Sequence, residues 1–343
     1  MRATLSAFLL AVCAAHPFAE DPNRPGRITI AAVGDVMLGG SMAAMLAESG
    51  ADHPFDRTRE ILAAADIAVG NLEAPFGTRG TPFKKRFTFL VPPRHAPALA
   101  RAGFDVMALA NNHMMDYGPE PLQATLRLLD SLGIAYSGAG MDASAARRPA
   151  VVERGGVRAA FLSYSRVHPL QFWAGKRKPG TAPANDAEVA ADVRAARRDA
   201  DLVVVSVHWG AELMTRPKDY QVRLAHAAID AGADLVLGHH PHVLQGLELY
   251  KGKLIAYSLG NFAFGSGSRR CTESIILITG FEGAKLSEIK VVPLCVDNHR
   301  VRYQPTPVTG EEGRRILDNL NAISRPLGFE LDVTDSIGHR RFD

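Results

Sequence analysis

From Arg27 onward the chain alternates short β-branched or apolar runs with Ala- and Leu-rich stretches whose apolar residues recur at helical spacing. Candidate strands fall at 28–33, 66–70, 104–109, 134–137, 158–163, 202–207, 234–237 and 254–258. Between them, 56–65, 94–102, 119–132, 186–199 and 217–231 read as helices, several opened by Pro or Asp in the first turn. Alternation of this kind builds βαβ units around a sheet, so the fold class is α/β. Nearer the C-terminus the pattern changes to an antiparallel hairpin, 273–281 against 286–294 with a turn near Gly283, then a helix near 311–323 and a polar tail expected to fray. The Pro- and Gly-bearing stretch from Arg166 to Asn185 reads as a long loop, and such loops in a domain tend to be lids or binding segments.

The polar residues that punctuate this pattern each follow a predicted strand. Asp35 follows 28–33 in VGDVML, Asn71 and Glu73 follow 66–70 in VGNLE, and Asn112, His113 and Asp116 follow 104–109 in ANNHMMD. His208 and Glu212 follow 202–207 in VHWGAE, and His239, His240 and His242 follow 234–237 in GHHPH. Asn261, in SLGNF, follows 254–258. Ligands of parallel α/β sheets bind beyond the carboxyl ends of the strands, so these side chains are expected to gather at one edge. Carboxylate, amide oxygen and imidazole nitrogen form a mixed O/N donor set suited to divalent Mn, Fe or Zn. His240 and His242, one residue apart, serve a common site only if the chain bends at Pro241. Glu212 is a candidate for orienting His208 or His242, and Asn261 for hydrogen bonding a ligand, unless it merely forms a turn with Gly260.

Composition narrows the partners. A formal charge of +3 over 343 residues is too small to imply nucleic-acid binding by bulk electrostatics, and no apolar window after the first twenty residues is long enough to span a bilayer. Basic clusters at Lys84–Lys85–Arg86 and Lys176–Arg177–Lys178 are candidates for holding an anionic ligand, with Arg86 favoured. Arg2 followed by the apolar run Leu5 to Ala15 reads as a cleaved signal peptide over 1–20, which predicts an exported, periplasmic or extracellular protein. In that oxidising compartment Cys271 and Cys295 are candidates for a disulfide, because equal counting outward from Gly283 sets them opposite each other; the alternative is two separate buried thiols. The chain thus divides into a signal at 1–20, one domain at 27–325 and a tail at 326–343.

Taken in order, GDVML, GNLE, ANNHMMDYG, HWGAE, GHHPHVLQ and YSLGNF resemble the CapA family of poly-γ-glutamate capsule biosynthesis proteins, which is similar in turn to the calcineurin-like metallophosphoesterases. The resemblance implies a four-layer α/β/β/α sandwich with metal ligands on loops at one edge. It implies that Asp35, Glu73, Asn112, His208, His240 and His242 are metal ligands, with Glu73 as the carboxylate between two ions. His113 then resembles a general acid, with Asp116 as its partner, and Asn71, Glu212, His239, Asn261 and Arg86 stand behind the ligands or toward substrate. Met37 occupies the place where the phosphoesterases write histidine, and Glu73 replaces their aspartate, so the expectation is one or two ions. Two functions follow: a protein of poly-γ-glutamate biosynthesis at the cell envelope, handling an anionic polymer beside synthase components, or a stand-alone secreted phosphoesterase or other hydrolase.

Overall fold

A computed structural model describes residues 26–342; the expected signal peptide lies outside them. Two large sheets face one another. In the first, of ten strands, the central path runs Lys285–Cys295, Glu273–Glu282, Arg27–Met37, Ile67–Leu72, Val106–Ala108 and Ala135–Ser137. Its last four strands are parallel. The second, of six strands, runs Leu244–Tyr250, Lys253–Leu259, Leu235–His239, Leu202–His208, Val157–Ser165 and Ala150–Arg154, and its four middle strands are parallel.

The period-2 pattern of the strands explains the layering. Along Arg27–Met37, Ile28, Ile30 and Ala32 point between the sheets, while Ala31 and Val33 point outward. Leu202 and Val204 likewise face inward, and Val203, Val205 and Val207 face out. Both faces are apolar, as they must be when a sheet is covered on both sides. Leu122, Leu126 and Leu129 of helix Pro119–Leu132 cover the outside of the first sheet. Helices Asp186–Ala196 and Asp219–Asp230 cover the second through Val189, Val193, Leu224 and Ala225. The architecture is therefore the expected α/β/β/α sandwich.

All eight strands anticipated before the hairpin are present, and helix Pro119–Leu132 has the anticipated bounds. One expectation is corrected and one open alternative is decided. The polar tail does not fray: Asp332–Thr334 and Ile337–Arg341 form a hairpin whose second strand pairs with Lys285–Cys295, placing Arg340 opposite Ile289. Nor are the cysteines bridged; both are free and buried. Glu282 pairs with Lys285 across a turn centred between Gly283 and Ala284, and a bulge between Gly280 and Phe281 shifts the register again. Cys295 therefore faces Glu273, two residues from Cys271, and a slip of this kind is enough to part the two sulfurs.

Candidate metal centre

The chain brings its strand ends together at one edge of the sandwich by very close backbone approach. Asp35 donates its N–H to Gly260 O at 3.0 Å, and a Cβ on the preceding Gly34 would sit 1.9 Å from that same oxygen. Only glycine fits there. Gly238 plays the same part in the second sheet, where a Cβ would fall 2.0 Å from Tyr257 O. These contacts let the ends of the two sheets converge, Asp35 from one and the GHHPH segment from the other.

Asp35 and Glu73 are completely buried, and His208, His239, His240 and His113 nearly so. Asn71 Nδ2 donates to Asp35 Oδ1 at 2.8 Å and to Glu73 Oε2 at 3.2 Å, so one amide spaces the two carboxylates. Glu73 Oε1 accepts no hydrogen bond. Around it stand His208 Nε2 and His242 Nε2, each at 3.7 Å, and His113 Nε2 at 4.0 Å. The donor atoms of Glu73, His208 and His240 lie within 4.8 Å of one another, as do those of Asp35, Glu73 and His242. Asn112 Oδ1 joins the first set, 2.7 Å from His208 Nε2.

His240 and His242 adopt φ values of 94° and 59°, backbone conformations that L residues rarely take. The bend expected at Pro241 is made by the residues on either side of it. It sets the two rings 5.7 Å apart on one side of the chain, and strain of this kind collects at functional sites. Asn261 opens a strand paired with Arg27–Met37, opposite Asp35, and its Oδ1 lies 2.9 Å from His242 Nδ1. It holds the imidazole rather than forming only a turn. His239 packs beneath, its Nδ1 3.4 Å from Asp35 Oδ1.

Burial and crowded charge set the protonation. Burial opposes the charge of His242, yet Glu73 and Asp35 win and push it up to about 10. Burial and the neighbouring His242 push His240 down to about 3, and burial with the His240 charge pulls His208 well below the usual range. Burial alone would raise Asp35, but the imidazoles of His239 and His242 hold it well below the carboxylate range. Glu73 goes the other way, raised well above it by burial and by the charge of Asp35. Two carboxylates and three imidazoles buried this closely together are costly unless a cation joins them. The bare oxygen of Glu73 and the buried, unbonded Nδ1 of His240 mark where such a charge fits. The residues present therefore suit a divalent cation, with Glu73 common to two donor sets.

Beside the ligand cluster, His113 Nδ1 is 2.7 Å from Asp116 Oδ2, which leaves Nε2 on the Glu73 side. Lys85 Nζ is 2.5 Å from Asp116 Oδ1, donates to Asn112 O and lies 3.1 Å from His113 Nδ1. Phe89 packs on the His113 ring at 4.6 Å, and Phe264 on the His242 ring at 4.9 Å. Two expected residues are not brought in: Arg86 is exposed with its guanidinium 5.0 Å over the Phe87 ring, and Glu212 is exposed and makes no hydrogen bond to His208 or His242. The basic residue at the site is Lys85, which the KKR triplet signalled without resolving. Asn111 was missed altogether. It donates to Asn71 Oδ1 and Leu72 O and accepts from the N–H groups of His113 and Met114, so it shapes the turn that presents His113. Its side chain makes the short-range turn bonds for which asparagine is favoured in loops, a signal that Asn112 shares.

The chain is thus an α/β/β/α sandwich with a buried carboxylate–imidazole cluster at its edge whose donor types suit a divalent metal. The family model described as Bacterial capsule synthesis protein PGA_cap matches residues 29–266, and the chain belongs to that family. It is 32% identical to the "PGA biosynthesis protein CapA" of Bacillus subtilis (strain 168) over 89% of this chain and 83% of that protein. It is 33% identical to the "Capsule biosynthesis protein CapA" of Bacillus anthracis over 82% of this chain and 70% of that protein. Among solved structures it is similar to the calcineurin-like phosphoesterase YfkN from Bacillus subtilis, with 14% identity, a TM-score of 0.42 and coverage of 79% of this chain and 86% of that one.

Proposed function

We propose that the protein is a divalent-metal-dependent hydrolase serving poly-γ-glutamate biosynthesis at the cell envelope, to which it is exported. The names of its relatives support the pathway. The buried Glu73 Oε1, unbonded and ringed by three imidazole nitrogens, is the observation that carries the chemistry. Asp35, Glu73 and His242 would hold one ion, and Glu73, Asn112, His208 and His240 a second, with Mn, Fe or Zn matching the donors. A bound divalent ion supplies Lewis acidity toward an anionic oxygen and acidifies water.

The chain's own residues do the rest. Asn71 keeps Asp35 and Glu73 apart and aimed, and Asn261 fixes the ring plane of His242. Asp116 holds the Nδ1 proton of His113, so Nε2 is the atom that exchanges a proton with a leaving oxygen. Lys85 balances Asp116 and ties the backbone of Asn112 to the same point. Phe89 and Phe264 each pack against one of the two rings. The substrate is a phosphoester or another anionic ester or acyl bond of the polymer pathway, and synthase components are the partners. Metal analysis of the purified protein, followed by a panel of phosphoester and poly-γ-glutamate substrates, tests the reading. Turnover that needs metal and is lost in His113→Ala supports it; bound metal with no turnover on any substrate would leave only a binding role.

A further inference from the structure

Two loops beside the metal centre carry no acidic residue at all. The segment 79–92 contains Arg79, Lys84, Lys85 and Arg86, and 166–185 contains Arg166, Lys176, Arg177 and Lys178, with neither Asp nor Glu in either. Against a net charge of +3 for the whole chain, this is a strong local excess. Arg79 and Arg166 are paired to Glu120 and Asp186, and Lys85 is turned inward to Asp116. Lys84, Arg86, Lys176, Arg177 and Lys178 are exposed, and no acidic partner meets them among the described residues.

The loops are fastened to each other. The Phe83 and Phe172 rings meet edge-on at 4.9 Å, and Lys85 Nζ sits 5.2 Å above the Phe172 ring. The tip at Gly175–Lys178 is closed by reciprocal backbone hydrogen bonds between those two residues. From this anchored pair project two of the few large apolar side chains left in solvent: Phe87, 54% exposed, and Leu170, 49% exposed. Arg86 lies over the Phe87 ring, so one aromatic and one cation project together. Both loops follow C-terminal strand ends, on the edge that carries the metal centre.

We infer that this rim docks on an anionic lipid surface, with Phe87 and Leu170 entering the headgroup layer and the five free cations meeting lipid phosphates. A soluble polyanion would call for the cations alone; exposed apolar groups among unpaired cations match a bilayer interface, where both are accommodated. No helix among the described residues is long and apolar enough to cross a membrane, so this contact is peripheral. The inference rests on the rim alone and holds whether or not the metal centre turns over.

Sedimentation of the purified protein with phosphatidylcholine vesicles, with and without phosphatidylglycerol, tests it. The expected result is binding only when phosphatidylglycerol is present, weakening as salt is raised. Phe87→Ser with Leu170→Ser, and separately Lys176→Glu with Arg177→Glu and Lys178→Glu, should each lower binding about tenfold or more. Arg198→Glu, in the exposed turn between helix Asp186–Ala196 and the start of strand Leu202–His208, at the opposite end of that strand from the metal centre, should leave it unchanged. Unchanged melting temperatures keep loss of binding distinct from loss of fold. Failure of the wild type to bind, equal binding to both vesicles, binding by the rim variants at wild-type strength, or capture of soluble poly-γ-glutamate without vesicle binding would each overturn the inference.

Discussion

Glu73 Oε1 lies 3.7 Å from His242 Nε2, too far for a hydrogen bond and close to the distance between two ligands of one ion. Two bonds of about 2.1 Å at a tetrahedral angle set their donor atoms about 3.4 Å apart. The same spacing recurs from Glu73 to His208, so Glu73 would be the ligand common to both donor sets. Glu73→Gln keeps the shape and removes the charge. Affinity for Mn or Zn should fall about 100-fold or more at both positions, measured by metal content after dialysis. Retention of full metal content in this variant would show that Glu73 is not a common ligand.

His113→Ala should separate binding from chemistry. His113 belongs to neither donor set, and the alanine variant should hold its metal while turnover falls roughly 10²- to 10⁴-fold. Equal losses of metal and turnover would instead make His113 a ligand.

Lys85 is the counter-charge of a fully buried carboxylate. Replacing it with Met leaves Asp116 uncompensated, and because Lys85 is itself partly open to solvent the expected loss is about 2 kcal/mol or a little more. Urea unfolding of Lys85→Met against the wild type reads this directly, and an unchanged midpoint would deny the pair a structural part.

The histidines also set the pH response of the metal-free protein. His208 and His240 have depressed values in the folded state, so the stability linked to them is present above the unfolded value of about 6.5 and is lost as pH falls toward about 3. His242 is raised to about 10, so its contribution is full below about 6.5 and is lost as pH rises through about 10. Melting temperatures in chelator should therefore peak near neutrality and decline on both sides. A monotonic rise or fall across that range would contradict the charge pattern of the cluster.

Cys271 and Cys295 are pushed up by burial and are 7% and 2% exposed. Both should resist thiol reagents in the native protein and react at once in denaturant. Recovery of a Cys271–Cys295 linked peptide by mass spectrometry would reverse the register argument.

Much of the site was legible in the sequence, because a parallel sheet sends every strand to the same edge and a polar residue after each strand must arrive there. That rule placed Asp35, Glu73, His208, His240 and His242 at the edge, and the family resemblance chose them as ligands over His239 beside them. Lys85 and Asn111 were hidden because what distinguishes each from its neighbours Arg86 and Asn112 is the direction of one side chain. That direction depends on which loop packs against it: Phe172 covers Lys85, and Asn71 receives Asn111. Glu212 shows the converse, a well-placed carboxylate that the loop turns to solvent.

By itself, the amino-acid sequence determined the alternation of strands and helices, the two-faced apolar strands and the set of donor types at their ends, since these depend on local periodicity and residue chemistry. Tertiary structure decided that Glu73 Oε1 stands unbonded among three imidazoles, that positive φ at His240 and His242 turns both rings to one side, and that a bulge at Gly280–Phe281 parts the cysteines. Each of those outcomes depends on the fit of distant segments to within an ångström or two, as where Gly34 meets Gly260, and local pattern carries no such measure.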